Sequence, residues 1–140
     1  IASEQPEFFI PTVRQKALEV GPLMRDALRI AHERGVKIAY GTDAGVNDHG
    51  TNAYEAVLMA EAGMPAREIL IAATVNAADL MSLTEITGTI EAGKDADILA
   101  VGSNPLEDVS ALMQPTFVMA RGNEVNLAVP PVDLFPWPDL

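Results

Sequence analysis

The side chains best suited to chemistry lie close together in one stretch. It runs Gly41-Thr42-Asp43-Ala44-Gly45 and continues through Asp48-His49-Gly50-Thr51-Asn52. A carboxylate delivered into a glycine-rich loop can bind a cation and take a proton from water. It can equally be a turn former or a helix cap, because an Asp side chain bonds nearby backbone N–H groups. His49 follows Asp43 in the same loop, beside Asp48, whose charge would raise its pKa. It reads either as a solvated loop histidine or as a hydrogen-bonding group for a substrate, since no nucleophilic Ser or Cys context accompanies it. A zinc site takes about four ligands, yet the chain has 2 histidines, His32 and His49, and no Cys. His32 falls late in a helix that ends at Gly35. There the helix dipole favours a cation by about 0.3–1 kcal/mol, so a structural role suffices. Gly41, Gly45 and Gly50 make no phosphate-binding loop, because no Lys follows and GxGxxG is absent. One carboxylate and one nearby imidazole are not a complete active site.

The elements that must position this loop can be read on either side. Residues 36–40 read as a short buried strand leading into Asp43. Strand, polar loop, then helix is how α/β enzymes present catalytic groups at the carboxyl end of a parallel sheet. Upstream, the spacing predicts a helix from Thr12, with Val13, Ala17, Leu18 and Val20 on one face. Gly21-Pro22 is expected to kink or restart it, since an interior Pro costs about 3 kcal/mol. Leu23, Met24, Ala27, Leu28, Ile30 and Ala31 then form an apolar stripe, and Gly35 caps the end. Downstream, Asn52 or Thr51 is expected to cap a helix running through Tyr54, Val57 and Leu58 to Gly63. Pro65 opens another, with Ile69, Leu70, Ala72 and Ala73 inward, and Asn76 is expected to cap a continuation over 77–81.

The character changes after residue 84. The run 86–94 is turn-rich, with Gly93 suited to a positive φ. Residues 97–101 read as a strand, and 104–108 start a helical turn ending near Met113. Residues 116–120 and 124–127 read as a hairpin about Arg121-Gly122-Asn123. The first eleven and last eleven residues are Pro-rich loop and tail. The first 84 residues hold one strand, and a buried parallel strand needs neighbours on both sides. Either it joins the later hairpin in a small α+β domain, or its partners lie on further sequence, which is the expected case. The chain opens Ile1-Ala2-Ser3-Glu4 without an initiator Met, in keeping with a piece of a longer protein.

Composition bounds the function classes. The 140 residues are 49% hydrophobic, enough for a core, and the formal net charge is -11. That charge argues against nucleic acid or an anionic membrane surface as partner. No apolar run approaches the ~20 residues of a membrane helix.

Several motifs then converge. Gly35-Val36-Lys37-Ile38-Ala39-Tyr40-Gly41-Thr42-Asp43-Ala44-Gly45, followed by His49-Gly50, resembles the last barrel strand of metal-dependent amidohydrolases. Ala72-Ala73-Thr74-Val75-Asn76-Ala77-Ala78 is similar to that family's helix after the active-site loop. Gly88-Thr89-Ile90-Glu91-Ala92-Gly93-Lys94-Asp95-Ala96-Asp97 resembles its return into a β-sandwich domain. Asn104-Pro105-Leu106-Glu107-Asp108 and Val118-Met119-Ala120-Arg121-Gly122 resemble the sandwich's closing strands. The motifs come in the family's order and cover roughly 12–127. The most similar subgroup is the imidazolonepropionase-like amidohydrolases, which includes Xaa-Pro dipeptidases.

The resemblance implies an α/β fold: the last strand and flanking helices of a (β/α)8 TIM-like barrel in 1–84, and the C-terminal strands of a β-sandwich in 85–140. It implies one or two divalent metal ions, zinc by family habit. The family's ligands are a His-x-His on the first strand, a carboxylated Lys or Glu, two further His and a last-strand Asp. Of these only the Asp matches, as Asp43, which would ligate metal and shuttle the proton as water attacks an amide carbonyl. His49 and Asn52 are placed to contact substrate by position in the loop, not by a matched family role. The expected activity is C–N bond hydrolysis on a dipeptide or N-acyl amino acid, with a cyclic amide as the alternative. The expected partners are the remaining N-terminal part of the enzyme and further copies of itself in a homo-oligomer. The isolated chain is expected to be inactive. The rival outside enzymology is a small α+β interaction module that binds no zinc.

Overall fold

The computed structural model describes residues 10–43 and 50–128. Helix α1 spans Pro11–Glu33 with Pro at its first turn, where the missing N–H costs nothing and φ is already helical. The helix runs unbroken through Gly21-Pro22, so of the expected kink or restart no restart occurs. Pro22 removes one ladder bond, but the turns on either side are braced by Gln15–Glu19 at 3.2 Å and Arg29–Glu33 at 2.9 Å. Such i,i+4 pairs contribute about 0.2–0.5 kcal/mol each. Gly35 ends α1 as expected. At φ 71 it turns the chain so that its N–H reaches His32 O at 2.9 Å and the Val36 N–H reaches Ala31 O at 3.0 Å. These are the paired bonds of a Schellman cap.

Three short helices follow: α2 (Tyr54–Glu61), α3 (Ala66–Ile71) and α4 (Ala77–Leu80), with a π-helical segment, Ala72–Asn76, joining the last two. Thr74 Oγ1 donates back to Leu70 O at 2.7 Å within this stretch, a competition with the helix ladder that distorts helices. The core forms here. Ala56, Met59, Met64, Ile69, Ala72 and Val109 are buried together, with Leu28, Ile38, Tyr40, Ala66 and Leu112 packed around them. Ile69 and Ala56 are wholly inaccessible, and the small Ala56 and Ala72 let the helices approach closely. Ala73, expected inward, is exposed, because the widened π turn rotates it away from Ala72's face. The N-cap of α2 falls on Ala53 rather than on Thr51 or Asn52. Its first turn is held by main-chain bonds from Tyr54 N to Thr51 O and from Glu55 N to Asn52 O.

The second half supplies an antiparallel sheet of order β1-β2-β3, from Ile98–Val101, Pro115–Ala120 and Asn123–Glu124. Ile98 faces Met119 and Ala100 faces Phe117, and the register slips next to Pro115, a residue that cannot donate to a ladder. The β2–β3 turn is two residues, Arg121 and Gly122, at φ 49 and 76. Positive φ at both positions is the type I′ hairpin turn, whose twist matches the strands. Strand β3 is accordingly shorter than the 124–127 expected. Between β1 and β2, the 3-10 helix Val109–Met113 puts Val109 into the helical core.

Residues 36–40 form no strand: they pair with no strand among the described residues and do not join the three-stranded sheet. The π segment occupies that run instead. Tyr40 N–H donates to Ala72 O at 3.0 Å, and Asn76 Nδ2 donates to Ile38 O at 2.8 Å. Asn76 therefore does not cap α4, where no side-chain cap bond exists.

Candidate active site

The chain reaches Asp43 along a run whose polar groups are tied at alternate residues. Ile38 and Tyr40 are bonded to the π segment as above. Tyr40 Oη donates to the main-chain carbonyl of Asn52 at 2.6 Å, and Asn52 Nδ2 donates to Thr42 Oγ1 at 3.1 Å. The Asn52 side chain thus ties Thr42 to the residues that precede α2. The Tyr40 ring is half-buried against the core, and burial pushes its hydroxyl pKa up. A phenol kept protonated there keeps its donor.

Asp43 is the first residue beyond these ties. It is exposed and sits at φ 47, in the left-handed region that Asp tolerates better than most non-glycine residues. His49 lies outside the described residues, as do Ala44, Gly45 and Asp48. Of the expected site residues, the fold therefore brings the entry to Asp43 and Asn52 together at the loop base.

His32 is engaged elsewhere. Its Nε2 lies 2.7 Å from Glu68 Oε2, linking the end of α1 to α3. Lys37, on the approach to the loop, lies 2.6 Å from Asp79 on α4. Among the described residues, no group of three or more His, Asp or Glu side chains could hold a metal ion. Asp43 offers one oxygen donor, and a cation there needs ligands beyond those described. Nor is any helix among them long and apolar enough to cross a membrane.

Sequence reasoning missed Tyr40 and Asn76. A Tyr inside an apolar strand-like run did carry a signal, since a buried phenol normally finds a partner. Asn76 carried none: an Asn before Ala77-Ala78 has the look of a cap, and its reach to residue 38 depends on tertiary placement alone.

Comparison with known proteins places the chain. The family model described as "Amidohydrolase family" matches residues 14–125. Imidazolonepropionase of Thermoplasma acidophilum is 34% identical over 103 residues, covering 70% of this chain and 25% of that protein. A Xaa-Pro dipeptidase solved with methionine in its active site superposes with a TM-score of 0.79 at 46% identity, over 89% of this chain and 30% of that one. A prolidase solved with N-methylphosphonate-L-proline gives a TM-score of 0.74 at 29% identity, over 84% of this chain and 29% of that one. The chain thus spans a quarter to a third of the length of these relatives. With the matched region running from within α1 to the residue after β3, the chain belongs to the amidohydrolase family.

Proposed function

We propose that this chain is the C-terminal part of a metal-dependent hydrolase that cleaves C–N bonds, with dipeptides ending in proline as first-choice substrates and N-acyl amino acids as the wider class. The observation that carries the reading is the 46% identity and 0.79 TM-score to a Xaa-Pro dipeptidase over 89% of the chain. In this reading, 1–84 end a TIM-type barrel and 85–140 end a β-sandwich domain. The apolar surface supports such completion. Leu23 and Met24 on α1 are 65% and 67% exposed, and Val36 is 55% exposed. The remaining N-terminal part of the enzyme would cover them, and a homo-oligomer is proposed for the whole.

Asp43 is the proposed catalytic residue and one oxygen ligand of the metal, zinc in the first instance. A divalent cation held there with further ligands would polarise the scissile carbonyl and lower the pKa of attacking water. As water adds to the carbonyl carbon, the Asp43 carboxylate accepts its proton. As the C–N bond breaks, Asp43 returns that proton to the leaving nitrogen. His49 and Asn52 are proposed to hold the substrate's polar groups at the loop mouth.

The test is turnover by the complete enzyme loaded with zinc. Xaa-Pro dipeptides should be cleaved, Asp43→Asn should abolish cleavage and lower metal content, and residues 1–140 alone should be inactive. Turnover by 1–140 alone, or full activity in Asp43→Asn, would reject the reading. A cyclic amide is the second substrate class, favoured by the 34% identity to an imidazolonepropionase. Assaying an imidazolone beside Xaa-Pro dipeptides decides between them.

A further inference from the structure

We propose that Asn76 and Tyr40 are positioning residues for Asp43: they suspend the 38–42 run from the π segment and from Asn52, just before α2, and so fix where the carboxylate emerges. The proposal rests on Asp43 acting as described above. It goes beyond that reading because neither residue reaches the reacting atoms.

The geometry is specific. In extended backbone, the N–H and C=O of alternate residues lie on the same edge. Ile38 C=O and Tyr40 N–H are such a pair, and both are taken by the π segment, by Asn76 Nδ2 at 2.8 Å and Ala72 O at 3.0 Å. The partners lie four residues apart along a widened turn, so one side of the run is bonded twice by one element. Single-turn π segments inside helices occur frequently at functional sites. From the other direction, Tyr40 Oη reaches Asn52 O at 2.6 Å, and Asn52 Nδ2 reaches Thr42 Oγ1 at 3.1 Å.

The ties fall at residues 38, 40 and 42, and Asp43 comes next. Its φ of 47 is a conformation that persists where surrounding structure over-determines it. Removing Asn76's bond frees the Ile38 carbonyl and lets the run pivot about Tyr40. Removing the Tyr40 hydroxyl removes its tie to Asn52 while leaving the ring packed and the Asn52–Thr42 bond in place. In both variants the carboxylate would survive but no longer be held at one place, a geometric fault distinct from loss of the group itself. A displacement of about 1 Å at a reacting group can cost about 100-fold in rate.

The experiment compares Asn76→Ala, Tyr40→Phe and Asp43→Asn in the complete zinc-loaded enzyme. It measures kcat, KM, zinc affinity by chelator competition, and thermal melting. Asn76→Ala should lower kcat by about 100-fold and zinc affinity by about 10-fold, with KM changed less than about 3-fold. Tyr40→Phe should lower kcat by about 10-fold in the same pattern. If Asn76→Ala does not fold, Tyr40→Phe decides the outcome, since it removes one hydroxyl and keeps the packing. Parental kcat and zinc affinity in the folded variants, with or without a lower melting temperature, overturn the proposal while leaving the function intact. Parental turnover and zinc affinity in Asp43→Asn would sink the functional reading, and the positioning role with it.

Discussion

Two helical regions of this molecule use their residues in opposite ways. α2 and α3 have 8 and 6 residues, yet they bury Ala56, Met59 and Ile69. α1 has 23 residues and buries none. Length is therefore no guide to burial; what matters is whether a facing element exists. α2 and α3 face each other, the π segment and the Val109–Met113 helix, so their apolar faces are covered internally. α1 rests on them through Leu28, the Arg25–Glu61 ion pair at 3.2 Å and the His32–Glu68 hydrogen bond at 2.7 Å. Exposed pairs of that kind are worth about 0–1 kcal/mol each. The rest of its apolar stripe, Leu23, Met24 and Ile30, is exposed. One region is a finished core; the other leaves its apolar face exposed, in a chain that matches 30% of a longer relative.

The contrast is sharpest in a pair of truncations. Ile69→Ala, at a position with 0% exposure, should cost about 2–5 kcal/mol in urea unfolding. Leu23→Ala, at 65% exposure, should change the stability of residues 1–140 by no more than about 0.5 kcal/mol. In the complete enzyme the Leu23 penalty should rise towards the core range. If Leu23→Ala costs residues 1–140 as much as Ile69→Ala does, the comparison breaks.

Gly88→Ala comes next in size and probes how tightly the finished region is closed. Gly88 sits at φ 97, and a Cβ there would lie 2.7 Å from Ala78 Cβ and 3.2 Å from Thr74 O. Both the backbone and the space refuse it. The expected cost is about 1–3 kcal/mol, read as a lower denaturant midpoint with an unchanged slope. A neutral Gly88→Ala would show that the π segment and the turn over it are not packed as one unit.

The same contrast explains what could be read from the sequence. Local chemistry was legible: the cap at Gly35 and the Pro65 helix start follow from one residue's backbone preference, and the strand expected over 97–101 and the hairpin turn expected about Arg121-Gly122-Asn123 are found at Ile98–Val101 and Arg121-Gly122. The family could be read too, through ordered motifs from Gly35 to Gly122. Tertiary substitution was not legible. Residues 36–40 have a strand's apolar pattern, but hydrogen bonds from Tyr40 and Asn76 tie them to a helical segment. Pro22 was expected to kink or restart α1, and no restart occurs, because one lost bond could not outweigh the turns around it. At the candidate site, Asp43 stood out by its loop, whereas the groups that aim it are an Asn and a Tyr whose partners lie 38 and 12 residues away. Side-chain spacing along the chain contains no record of such contacts.

Ser82 offers a smaller test. α4 closes with the bonds of a Schellman cap, Ser82 N to Asp79 O at 2.9 Å and Leu83 N to Ala78 O at 2.8 Å, but Ser82 itself sits at φ 58. Gly35 fills the equivalent place after α1. Ser82→Gly should relieve the left-handed strain and stabilise by about 0.5–1 kcal/mol, the chain-entropy cost of glycine offsetting part of the gain. No gain in melting temperature would mean that Ser82's hydroxyl compensates locally.

The smallest effect lies in the sheet, where Asp97 ties the hairpin turn back to the start of β1. Its carboxylate accepts the Arg121 N–H at 2.8 Å and the Thr87 hydroxyl at 2.8 Å. Chiefly through the Arg121 N–H, its pKa is held below the usual carboxylate value. A depressed folded pKa stabilises above the unfolded pKa of about 3.9, and that contribution disappears as pH falls through the folded value. Asp97→Asn removes the charge and keeps one acceptor oxygen, for the Arg121 N–H, while its NH2 can donate to a rotated Thr87 hydroxyl. Its melting temperature should therefore trail the parent's above about pH 5, and the gap should close as pH falls below about pH 4 and through the folded value. Because Asp97 is exposed, solvent screens the charge and the gap stays small. A gap that persists undiminished at pH 2 would show that the carboxylate's charge contributes nothing, leaving shape alone to hold the turn.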